Sequence, residues 1–130
     1  MRQSDADVRS LGGADLDPDI RRFVSETSAR WAQHPDLSTV PPAEARRIAE
    51  AVRAPWTRGG PAMAEVHEHV VPVPRRPDVR VRVHDPGLSA ARPVVYLHGG
   101  GWTIFSLDTH DRVMREYAAR ARTVVVGVDY

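Results

Sequence analysis

The chain has 130 residues, a formal net charge of +1, 42% apolar residues and no cysteine. No apolar run approaches the roughly 18 residues that span a bilayer, and the lack of Cys excludes disulfides, thiolate metal sites and a cysteine nucleophile within the sequence. All 18 basic residues are arginine and lie scattered among 17 acidic ones, so no clustered positive charge points to nucleic acid.

Residues 1–15 are polar, include Gly12-Gly13 and read as disordered, without chemistry of their own. The run Met1 to Asp7 lacks the apolar core of a secretory signal, so the expected compartment is the cytoplasm. Asp17-Pro18 then opens a helix, with Asp17 as cap and Pro18 at the first helical position. Ile20, Phe23, Val24, Thr27 and Trp31 fall largely on one face of it, and Pro35 stops it near His34. A second helix is expected from Ala43 to about Arg53, with Ile48, Ala51 and Val52 as its apolar side.

A β region follows. Ala64 to Val73 reads as one strand, and Val79 to Val83 as a second with strict alternation, joined by the turn Arg75-Arg76-Pro77-Asp78. Asp85-Pro86-Gly87 through Ala91 connects to a third strand, Pro93 to Leu97, whose apolar run predicts burial on both faces. Beyond the glycines that follow, Asp108 or Thr109 can cap a helix with Val113, Met114, Tyr117 and Ala118 inward, and Thr123 to Val128 is a fourth strand. Strand, helix, strand is the signature of a parallel crossover, so the fold class is α/β. The organisation expected is a tail over 1–15, a helical segment over 16–60 and a sheet-bearing core over 61–130.

The residues with the most specific chemistry are Tyr96-Leu97-His98-Gly99-Gly100-Gly101-Trp102, at the end of the third strand. Acyl transfer places negative charge on a carbonyl oxygen, and backbone N–H groups aimed at one point are fixed donors for it. Glycines remove the Cβ atoms from such a loop and permit positive φ, so its amides can converge on a ligand. Gly99, Gly100 and Gly101 are the candidate donors, and His98 can brace them through its ring nitrogens. A phosphate-binding loop fits less well, because Ile104 stands where a third glycine of Gly-x-Gly-x-x-Gly would be and no Gly-Lys-Ser/Thr occurs.

From about Arg92 onward the chain resembles the hormone-sensitive-lipase branch of the α/β-hydrolases, which includes the bacterial family IV carboxylesterases. The resemblance rests on His98 to Trp102, on Ser106-Leu107-Asp108-Thr109-His110-Asp111 and on Val128-Asp129-Tyr130, in that order. It implies the N-terminal part of an α/β-hydrolase fold: a helical cap segment followed by the first strands of a mostly parallel sheet. It implies an oxyanion hole at Gly99 to Gly101, loop support from His98 and Asp129, a substrate cavity walled by Trp102 and Phe105, and acyl esters as substrates, with no cofactor and no metal. Many members of that branch carry Gly where this chain has Phe105, so a ring there either reshapes the pocket or fills space under the loop.

The catalytic triad expected of such enzymes runs Ser, Asp or Glu, His in chain order, with the serine in a Gly-x-Ser-x-Gly elbow. None of Ser4, Ser10, Ser25, Ser28, Ser38, Ser89 and Ser106 lies in one, so this sequence is expected to carry no triad and to be inactive alone. The expected partner is a second polypeptide, or another copy of the chain, completing the sheet. A noncatalytic acyl-ligand-binding module and the relic of a shortened gene are the alternatives. His67 and His69 share a strand face but have no evident third metal ligand. His110 and Asp111 are neighbours on a helix and are read as fixing its start.

Overall fold

A computed structural model of the chain describes residues 16–87 and 92–130. The disorder expected of residues 1–15 and the last part of the connection through Ala91 lie outside the described residues. The chain divides into two compact units, Met1–Val52 and Arg53–Tyr130.

In the first unit, helix α1 spans Pro18–Trp31. The Asp17 carboxylate accepts from the N–H of Asp19 at 2.8 Å and of Ile20 at 3.4 Å, satisfying two donors that a helix start leaves open. Phe23, Val24, Thr27 and Trp31 form its half-buried stripe, while Ile20, expected on that stripe, is exposed. Helix α2, Pro42–Arg53, buries Ala45, Ile48, Ala49 and Val52. That i, i+3, i+4, i+7 pattern corrects the expected apolar side: Ala51 falls off the stripe and is exposed, and Ala49 takes its place.

The second unit begins with a single 3-10 turn, Ala54–Trp56. Its sheet contains β1 (Glu65–Val71), β2 (Val79–Asp85), β3 (Val94–Leu97) and β4 (Val125–Asp129), with helix α3 (Leu107–Ala121) between the last two. The strand order is β1-β2-β4-β3. β1 with β2 and β2 with β4 are antiparallel, whereas β3 and β4 run parallel across the α3 crossover.

The core lies where α3 meets β4. Leu107, Met114 and Ala118 pack on Val125, with Met63 and Tyr96 against them. Gly127 makes the close approach possible, since a Cβ there would sit 2.4 Å from Met114 Sδ and 2.8 Å from Leu107 Cδ2. Tyr117, expected inward, is 53% exposed. The helix cap is Ser106, not Asp108 or Thr109. Thr109 is the third helical residue, and its Oγ1 accepts the Ser106 N–H at 3.0 Å and donates to the Ser106 carbonyl at 2.8 Å.

The register sorts the sheet into two unlike faces. Towards α3 point Glu68, Arg82, Gly127 and Tyr96 in one row, with Arg80 beside Asp129 and His84 beside Val125 in the flanking rows. On the opposite face His69, Val81, Val128 and Leu97 align, and next to them His67, Val83, Val126 and Val95. Burial of β3 on both faces is therefore not found: Val95 is 66% and Leu97 54% exposed, because β3 pairs on one side only and α3 covers one face.

Candidate functional site

The glycine loop leaves the C-terminal end of β3, the edge where open α/β sheets gather their ligands. Its shape is set by backbone angles that most residues avoid. Gly100 has φ +133° and Gly101 φ +59°, and both Trp102 (+63°) and Phe105 (+72°) are left-handed despite their side chains. A Cβ on Gly100 would fall 2.0 Å from the Ile104 carbonyl oxygen. That carbonyl lies so close because the loop folds back: the N–H groups of Thr103 and Ile104 both donate to the Gly100 carbonyl at 3.1 Å. Among the described residues, the N–H groups of Gly99, Gly100 and Gly101 donate to no protein acceptor.

The loop rests on stacked rings. His98 is buried, its Nδ1 donates to the Gly99 carbonyl at 2.8 Å, and its ring lies 4.1 Å from that of Tyr130 in a near-parallel stack. The Tyr130 hydroxyl donates to the His98 carbonyl. On the other side His110 stacks at 5.3 Å, and Phe105 meets His110 edge-on at 5.7 Å. The Arg53 guanidinium sits 5.9 Å over the Phe105 ring. Burial, with His98 and Arg53 nearby, holds His110 below the usual imidazole range, although its contact with the Ser106 carbonyl acts the other way. Trp102 is 71% exposed and leans on Tyr130 at 4.6 Å.

Asp129 joins the two ends of the loop. Its Oδ1 accepts the Leu107 N–H at 3.3 Å and stands 3.9 Å from His98 Nε2, which has no hydrogen-bond partner. Its Oδ2 takes Arg80 Nη2 at 2.7 Å and Nε at 3.2 Å. Below this, Arg82 reaches Asp108 at 2.6 Å, Asp111 at 3.0 Å and Glu68, while His84 Nε2 lies 2.9 Å from Asp111. Burial would raise the Asp111 pKa, but hydrogen bonds from His84, Arg115 and Arg82 outweigh it and hold the carboxyl well below its ordinary range. The same carboxylates push Arg82 upward against its own desolvation.

The structure thus gathers His98, Gly99 to Trp102, Phe105 and Asp129 in one place, all of them singled out in the sequence. His67 and His69 are elsewhere, on the exposed edge strand β1 with rings 6.3 Å apart, and His67 Nε2 contacts Glu65 at 2.7 Å. His110 does lie beneath the loop, but Asp111 faces away from it into the Arg82–His84 cluster. Sequence reading gave no role to Arg80, Arg82 and His84, and took Tyr130 only as the end of a motif. The available signal was the alternation of Arg and His with Val along β2, coupled to acidic residues at the start of α3.

Two comparisons bear on these findings. A profile of the alpha/beta hydrolase fold family matches residues 94–130. An ester-hydrolase from the metagenome of Lake Arreo is similar at 29% identity and TM-score 0.74, over 88% of this chain and 38% of that one. EstE1, a thermophilic carboxylesterase cloned from a metagenomic library, is 34% identical with TM-score 0.62, over 71% and 32%. A hyperthermophilic esterase from the archaeon Pyrobaculum calidifontis is 28% identical with TM-score 0.70, over 88% and 36%. This chain therefore spans less than two fifths of the length of these enzymes. No helix among the described residues is long and apolar enough to cross a membrane. With its mixed sheet, its glycine loop at the end of β3 and these likenesses, the chain belongs to the α/β-hydrolase family and corresponds to the N-terminal part of esterases of the hormone-sensitive-lipase type.

Proposed function

We propose that this chain supplies the oxyanion hole of a serine carboxylesterase acting on acyl esters in the cytoplasm. The observation that carries this reading is the set of three glycine amides without internal acceptors, in a loop whose positive φ angles and buried His98 hold it open. A serine from a polypeptide bearing a Gly-x-Ser-x-Gly elbow attacks the ester carbonyl. As the tetrahedral oxyanion forms, the N–H groups of Gly99 and Gly100, joined by Gly101, donate to it. Preorganised donors of this kind typically contribute about a hundred- to a thousand-fold each. Trp102 and Phe105 wall the substrate cavity, while His98 and Asp129 hold the loop. The chain's own serines take no nucleophilic part: Ser106 Oγ is buried at the start of α3, away from any elbow.

Labelling with a fluorophosphonate tests this. The chain alone is expected to remain unlabelled, and a complex with an elbow-bearing polypeptide to be labelled on that polypeptide's serine. Native mass spectrometry identifies that second component beside the 14.4 kDa chain. In the complex, Gly100→Ala is expected to lower ester turnover by about a hundredfold or more. Stoichiometric labelling of Ser106 would overturn the reading.

A further inference from the structure

The segment from His98 to Leu107 begins and ends at the same carboxylate. Its first residue turns a buried Nε2 towards Asp129 Oδ1 at 3.9 Å, and its last gives that oxygen an N–H at 3.3 Å. A carboxylate at the end of a strand has a free χ2 rotation, so holding Oδ1 towards both groups requires something to fix the other oxygen. Arg80 does this with two prongs of its guanidinium, at 2.7 and 3.2 Å. Its position follows from the register, which sets Arg80 directly opposite Asp129 across β2 and β4.

We infer that Arg80 is a positioning residue for the glycine loop, acting through Asp129. Nothing in the sequence motifs singles it out, since it lies on β2, away from the loop in the chain. The Arg80 side chain is 41% exposed and the Asp129 side chain 18%, so the pair stands at the boundary of solvent, with the aqueous side held by the arginine. Its remaining prong lies 3.5 Å from Glu68, which also pairs with Arg82. Arg80 therefore links the ionic cluster under α3 to the base of the loop. A lysine is a poorer substitute, because a single ammonium cannot reproduce the two-pronged contact that fixes the plane of the carboxylate. The inference rests on the oxyanion reading only for what the loop is for; the positioning itself is a matter of the loop's shape.

The test is a set of ¹H–¹⁵N spectra of the full chain without ligand. Arg80→Gln is expected to move the amide signals of Gly99, Gly100 and Gly101 and the ring nitrogen signals of His98. It should also quicken exchange of the Leu107 N–H by roughly tenfold, the loss of one hydrogen bond's worth of protection. Arg80→Lys should move the same signals part of the way. Glu68→Gln, which removes the other partner of Arg80, should leave the loop signals in place, a distinction that general loss of ion pairing would not make. Loop and His98 signals unchanged in Arg80→Gln while Asp129→Asn moves them would overturn the inference. Where Arg80→Gln does not fold, unchanged loop signals in Arg80→Lys would do the same. Since no ester or phosphonate is present, this result stands apart from the labelling experiment that tests the oxyanion reading.

Discussion

The two faces of the sheet are built on opposite rules. Towards α3, β2 presents Arg80, Arg82 and His84, with His84 fully buried and Arg82 nearly so. Away from α3, the same strands present Val81, Val83, Val126, Val128, Val95 and Leu97, none of which is fully buried. The usual arrangement, apolar side under the helix and polar side to water, is inverted over β2. The inversion is supported because Asp108 and Asp111 on α3, with Glu68 on β1, pair with Arg82, and Asp111 also meets His84 Nε2, so the Arg82 charge under the helix does not go uncompensated. The opposite face has the composition of a surface that packs against protein. The outer edge of β3, which carries no charged residue, is where the second polypeptide proposed for the chain would pair.

Substitutions can sharpen this contrast. The largest effect is expected on the α3 side, where Met114→Ala should lower the free energy of unfolding by about 2–5 kcal/mol in chemical denaturation, through loss of buried volume. Gly127→Ala should cost about 1–3 kcal/mol by overpacking, since its Cβ would meet Met114 and Leu107. A Gly127→Ala chain as stable as the original would show that α3 does not pack as closely as described.

Acid should act on the polar part of that face. The folded Asp111 pKa lies below the unfolded value of about 4, so its contribution is complete above that value and is lost as pH falls through the folded pKa. Asp111→Asn should remove that part of the acid dependence in urea titrations run at stepped pH. On the far face, Val95→Thr should change stability by no more than about 0.5 kcal/mol in the isolated chain. It should weaken association with a sheet-completing partner, as read by sedimentation. The smallest effect concerns His110. Its folded pKa is depressed below an unfolded value of about 6.5, so stability falls as pH drops from that value through the folded pKa, and His110→Gln should flatten the slope in that window.

How legible this was in the sequence depended on whether a residue's partner lay nearby in the chain. The Asp17-Pro18 helix start, the glycine loop between apolar strand and helix, and the order of β3, α3 and β4 all follow from local spacing. The α3 cap was misplaced because Asp108 and Thr109 are both good capping types, and only the structure shows that Asp108 is engaged with Arg82 while Thr109 serves from the third helical position. The role of β2 was hidden for a deeper reason. Alternation of Val with Arg states that the strand has two faces, but which face meets the helix is decided by acidic residues some 25 to 30 positions later, at Asp108 and Asp111. Phe105 illustrates the same limit: its φ of +72° accounts for the glycine that the family resemblance expects there, while its ring finds His110 and Arg53, which no local pattern pairs with it.

The column of rings beneath the loop also gives the protein a built-in optical reporter. Trp102 and Tyr130 lie 4.6 Å apart at a fixed tilt, and Tyr130 continues into His98 and His110. Aromatic chromophores coupled at that distance in one asymmetric arrangement give near-ultraviolet circular dichroism that vanishes when they rotate freely. The order of the glycine loop can therefore be followed in the unlabelled protein from its absorption of polarised light, with Trp102→Phe as the spectrum from which the loop's own signal is subtracted.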